Sequence, residues 1–167
     1  HATQREQITE MGDEAFQSLL KKHGVPMSVS TCYPLGPFKQ DDEMRWVKKN
    51  GGAMTVCGSG KMGDADVSGA EAKAQVTAFF EKLKPHYELA EELGVTLTIE
   101  NQKNSMPSST DSIRYFVDLN PSKAVGIAFA PHHLHDAVDQ IPGLIRHCGK
   151  ANLPFIYFQE YHPSSKQ

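Results

Sequence analysis

The feature that most limits the fold is a recurring unit. Five short runs rich in apolar and β-branched residues, "VPMSVST" (25–31), "AMTVCG" (53–58), "VTLTIE" (95–100), "AVGIAFA" (124–130) and "PFIYFQE" (154–160), alternate with stretches of helical spacing. They begin near 25, 53, 95, 124 and 154, a mean repeat of about 32 residues. Strands that are apolar throughout, separated by helices, are the pattern of a parallel sheet covered on both faces. The chain therefore reads as α/β. Its 167 residues, 39% hydrophobic, suffice for one domain over 1–167 that buries roughly 70% of its unfolded surface. No low-complexity tract or long linker divides it.

The helical stretches carry their own punctuation. Residues 12–22 end at His23-Gly24, a helix stop. Residues 41–50 open on acids and close on Lys48 and Lys49, as the helix dipole favours. A long stretch over 70–93 contains Pro85, which is expected to kink or divide it. The next helix is capped by Ser109, Thr110 or Asp111. "HDAVDQIPGLIRHCGK" predicts the last one.

Two architectures fit this alternation: a five-stranded open sheet of the flavodoxin kind, or part of a (β/α)8 barrel, whose ~250 residues over eight units need about 31 each. The chain opens at His1 inside helical spacing and stops shortly after a strand. Both look like cuts through a longer alternation, so the expected fold is an incomplete (β/α)8 TIM-type barrel. Open strand edges in such a piece favour association, including a homo-oligomer.

Charge and cysteine narrow the function. A net charge of −3 and a pI near 6.2 argue against nucleic-acid or membrane partners, which need a basic face. No apolar run approaches the ~20 residues of a membrane span. Cys32, Cys57 and Cys148 are too few and too widely spaced for a disulfide framework or a zinc finger. They read as small buried hydrophobes.

In either architecture functional groups gather at the carboxyl ends of the strands. Those ends read Thr31-Cys32-Tyr33, Gly58-Ser59-Gly60-Lys61, Glu100-Asn101-Gln102, Ala130-Pro131-His132-His133 and Gln159-Glu160-Tyr161-His162. Glu100 stands out, because a carboxylate closing an apolar strand needs a partner, a metal or a raised pKa. In "APHHLH", successive residues leaving a strand point to opposite sides, so one histidine, His133, is expected to face the site. His135 is expected at the start of the following helix as a solvated residue. A three-histidine zinc site is not expected, since no two of these residues have the spacing of H-E-x-x-H. "GSGKMG" lacks phosphate-loop spacing, and Lys61 reads instead as a loop cation available to an anionic substrate group. No G-x-S-x-G is present.

"HYELAEELGVTLTIENQ" (86–102) and "PSKAVGIAFAPHHLHDAVDQIPGLIRHCGKANLPFIYF" (121–158) resemble the xylose isomerase-like sugar phosphate isomerase/epimerase superfamily of TIM barrels, and the likeness extends upstream through "LLKKHGVPMSVS" and "EMRWVKKNGGAMTVCGSG". By this register the five strands correspond to the third to seventh of the barrel. The resemblance implies proton abstraction beside a carbonyl of a small sugar or hydroxy-carbonyl compound, with a divalent cation (Mn, Mg, Co or Zn) stabilising the oxyanion and carboxylates acting as acid and base. Glu100 matches the glutamate that binds the metal and shuttles a proton, and Asn101 follows it as in the family. His133 matches the histidine of the D-x-x-H motif, while Ala130 stands where that motif has its metal-binding aspartate. Gln159 is nearest in register to the metal histidine of the last strand, with His162 three positions late; Glu160 is a further candidate donor. Catalytic roles thus fall to Glu100 and His133, substrate contacts to His132, Asn101, Lys61 and Gln159, and the metal to Glu100. The expected activity is an isomerase of the intramolecular oxidoreductase or epimerase type. The alternative is a barrel that kept its pocket without the metal and serves as a binding or scaffold protein. A nuclease related to endonuclease IV is opposed by the acidic charge.

Overall fold

The computed structural model describes residues 2–60 and 67–159. The elements run α1 (Ala2–Met11), α2 (Asp13–His23), β1 (Val29–Thr31), α3 (Asp41–Lys49), β2 (Met54–Gly58), α4 (Gly69–Leu93), β3 (Thr96–Glu100), α5 (Thr110–Asp118), β4 (Val125–Phe129), a 3-10 segment (Pro131–Gln140), α6 (Ile141–Asn152) and β5 (Phe155–Ile156). Ser109 caps α5 by accepting the Ser112 N–H at 3.1 Å.

Several boundaries differ from the sequence expectation. Pro85 does not divide the long stretch: α4 is one helix, because Phe79, Phe80 and Leu83 before the proline and Leu89 and Ala90 after it all pack into the same core. The stretch after His135 begins not as an α-helix but as the 3-10 segment, and α6 starts only at Ile141. The first and last strands shrink to three and two residues. Both are edge strands, each paired on one side only.

All four strand pairs are parallel and the order is β1-β2-β3-β4-β5. Sequential order removes the flavodoxin alternative, which requires a reversal at its switch point. Curvature supports the same choice. Laid flat, the outer strands of a five-stranded sheet stand about 19 Å apart, more than two tyrosine side chains span. Yet the hydroxyls of Tyr33, just after β1, and Tyr157, just after β5, are 2.6 Å apart. The sheet is curled into part of a barrel, with its edges drawn toward one another.

Alternation along the strands sorts the side chains. Cys57, Leu97, Ile99, Val125, Ile127 and Phe129 point to the convex side and join the core with Val76, Phe79 and Leu83 of α4, Ile113 and Phe116 of α5, and Leu144 of α6. The register neighbours on the other side, Gly58, Glu100 and Ala128 in one row and Val56, Thr98 and Gly126 in the next, belong to the concave face. In the central strands that face carries Gly58, Ala128 and Gly126 around one carboxylate, with Phe155 of β5 beside Ala128 and Pro154 over Gly126.

Candidate active site

Glu100 closes β3, with Gly58 of β2 and Ala128 of β4 as its register neighbours. It is 4% exposed. Two strand ends reach it from outside. Tyr33 crosses over β2 to donate its hydroxyl to Glu100 Oε2, and it crosses at the one residue without a side chain: a Cβ on Gly58 would lie 3.6 Å from the Tyr33 ring and 3.0 Å from Gln102 Oε1. Tyr157 meets the Tyr33 hydroxyl from the β5 side. Its own backbone N–H bonds Phe129 O at 2.8 Å, and Phe155 packs edge-on against its ring with centroids 4.9 Å apart.

The histidines do not behave as the strand reading expected. His132 and His133 do not diverge, because the chain has already entered the 3-10 segment, where successive side chains turn by about 120°. Their rings lie 4.1 Å apart, and His133 Nε2 is 3.3 Å from Glu100 Oε1. One potential ligand atom each from Glu100, His132 and His133 falls within 4.8 Å of the others. His135 lies within the 3-10 segment rather than at the start of an α-helix, partly exposed, with its Nε2 3.3 Å from Asp136 Oδ2.

The remaining sequence candidates scatter. Asn101 is fully buried, its amide donating to Ala130 O at 3.0 Å and accepting the Ala130 N–H at 2.7 Å. It ties the end of β3 to the end of β4, and both ends of its amide are already engaged. Gln159 is exposed beyond β5. Lys61, Glu160 and His162 lie outside the described residues. The two tyrosines went unremarked in the sequence: Tyr33 was only one member of a strand-end set, and Tyr157 sits inside an apolar run. The available signal was Gly58, the gap in the β2 end that Tyr33 crosses.

Burial, followed by the hydrogen bonds to Glu100 and Tyr157, pushes the Tyr33 hydroxyl far above its ordinary pKa. Burial likewise raises Tyr157. Both stay protonated donors at neutral pH. Burial first, then the neighbouring His133 ring, lowers the pKa of His132. Its Nδ1 is closed to solvent with no hydrogen-bond partner.

These groups fit a divalent cation. A carboxylate and two imidazoles are a donor set for zinc or manganese. Ligands about 2.1 Å from a tetrahedral ion stand about 3.4 Å apart, close to the 3.3 Å between Glu100 Oε1 and His133 Nε2. The unused nitrogen of His132 is an orphaned buried polar atom of the kind a ligand satisfies. A cavity of about 810 Å³ lies elsewhere, between α1 and the unpaired edge of β1 among Phe16, Met27, Leu35 and Trp46. A smaller one, about 450 Å³, reaches His133 from the α5 side past Ser109 and Asp111. The converging polar groups, not the larger cavity, mark the candidate site.

Residues 1–158 match the family described as xylose isomerase-like TIM barrel. The chain belongs to this family. As a family member it shares its fold with 3-keto-D-glucoside 4-epimerase from E. coli (TM-score 0.70, 16% identity, 93% of this chain and 68% of that one). It also resembles D-psicose 3-epimerase from Clostridium cellulolyticum H10 (0.65, 13%, 91% and 58%) and the IolI protein solved with a zinc atom (0.67, 12%, 91% and 58%). The chain thus spans between 58% and 68% of the length of these three. Comparison with curated proteins finds no match.

Proposed function

We propose that this chain carries the metal-binding and proton-transferring part of a sugar isomerase or epimerase pocket, acting beside the carbonyl of a small sugar or hydroxy-carbonyl compound. The observation that carries the reading is the convergence of Glu100, His132 and His133, from two separate strand exits, on one point at the carboxyl ends of the sheet. Relatives of the same fold are sugar epimerases by name, and one holds zinc.

Glu100, His132 and His133 would hold the cation, in place of the ligand set that Ala130 interrupts. Bound there, a divalent ion supplies Lewis-acid stabilisation of the oxyanion that develops at the substrate carbonyl. Oε1 would go to the cation, and Oε2, which accepts the Tyr33 hydroxyl with one lone pair, keeps a second lone pair for the proton on the adjacent carbon. His133 would serve there as a cation ligand, its Nε2 3.3 Å from Oε1. Lys61 and Gln159 remain substrate contacts in this reading.

A second reading has its own observation. Glu100 is already engaged by Tyr33 and His133 without a cation, and Ala130 offers no ligand, which suits a metal-free binding or scaffold barrel. Calorimetric titration of manganese separates the two. The isomerase reading expects binding by the protein and none by Glu100→Gln. It further expects manganese-dependent exchange of a carbon-bound hydrogen when ketohexoses are incubated in D2O and followed by NMR, lost in the same variant. Absence of manganese binding by the unaltered protein supports the metal-free pocket.

A further inference from the structure

We infer that Tyr33 and Tyr157 are a positioning pair that holds Glu100 by Oε2 and so offers a single oxygen, Oε1, to a cation beside His132 and His133; the inference rests on the metal-site reading above.

The geometry is specific. A carboxylate beside a divalent ion can give one oxygen or two. Here one is taken: Tyr33 donates to Oε2, while Oε1 faces His133 Nε2 at 3.3 Å. Each tyrosine has one proton to give. The carboxylate only accepts, so Tyr33 spends its proton on Glu100, and Tyr157 spends its own on the Tyr33 oxygen across 2.6 Å. The order Tyr157, Tyr33, Glu100 follows from donor counting alone.

The pair is anchored away from the cluster it would position. Tyr157 is tied through its backbone N–H to Phe129 of β4 and packed against Phe155. The Tyr33 ring passes over β2 beside Gly58, where a Cβ would lie 3.6 Å from it. Three strand exits, β1, β3 and β5, are thereby joined by two hydroxyls. Groups that orient a metal ligand commonly govern affinity by 10–100-fold.

Cobalt(II) is the probe, because its visible absorption reports coordination directly while binding reports affinity. The unaltered protein, Glu100→Gln, Tyr33→Phe and Tyr157→Phe are compared, each checked by thermal unfolding. Tyr33→Phe removes one oxygen atom and keeps the ring. We expect it to bind cobalt about 10–100-fold more weakly with an altered visible band, because Oε2 is then free. Tyr157→Phe, which leaves the Tyr33 contact in place and serves if Tyr33→Phe does not fold, should move both readouts the same way and less. Unchanged affinity with a superimposable band in both tyrosine variants, while Glu100→Gln loses cobalt, overturns the positioning role and spares the metal site. A larger effect from Tyr157→Phe than from Tyr33→Phe overturns the order of the chain. No cobalt binding by the unaltered protein removes the metal-site reading itself.

Discussion

The two faces of one sheet share the same strands and do opposite work. On the convex face, Leu97, Ile99, Val125, Ile127 and Phe129 are at most 1% exposed and interlock with α4, α5 and α6. On the concave face the same strands present Val56, Gly58, Thr98, Glu100, Gly126 and Ala128. One face uses its side chains for close packing against helices; the other surrounds a buried carboxylate. With a side-chain period of two, neighbours in sequence belong to different tasks.

Core truncation should break the comparison most heavily. Phe79→Ala, between Phe38, Phe80 and Phe116 on the helix side, is expected to destabilise by about 3–5 kcal/mol in denaturant unfolding. Glu100→Gln, on the other face, keeps an oxygen for Tyr33 and should leave the unfolding midpoint unchanged or raised while abolishing manganese binding. A Glu100→Gln loss as large as that of Phe79→Ala would end the division of labour between the faces.

Asn101 sharpens the contrast, since it follows Glu100 directly yet is engaged by Ala130 rather than facing the pocket. Asn101→Ala strands a buried N–H and a buried C=O and should cost about 2–3 kcal/mol. Urea unfolding measures that cost. Manganese affinity in the folded variant reports any direct role at the site, which the pairing with Ala130 does not call for.

The cysteines give a smaller effect. Burial pushes Cys148 up to about 11 and Cys57 higher still, whereas Cys32 is only partly covered. A thiol reagent under native conditions should modify Cys32 first and leave the two core thiols until unfolding, as read by mass spectrometry.

The smallest effect lies far from either face. Asp13, held by Lys49 and then by Trp46, has a lowered pKa. A carboxylate depressed in the folded state adds stability above its unfolded pKa and loses it as pH falls through the folded one. Asp13→Asn should therefore lower the melting temperature slightly at pH 7. The difference should vanish when both proteins are melted in acid below the folded pKa.

Period and spacing by themselves determined the α/β class, the five strands and most helix starts, and singled out Glu100 as a candidate, because backbone geometry writes those into short windows of sequence. They could not settle Pro85, whose helix survives through contacts made on both sides of it. Nor could they find the Tyr33–Tyr157 bridge, between residues 124 positions apart, which exists only because the sheet curls. His132 was misplaced for a local reason: one turn of 3-10 backbone, not strand alternation, sets where its ring points. Only the tertiary structure brought Glu100, two histidines and two tyrosines from separate strand exits to one place, because the curvature of the sheet is a property of all five strands together.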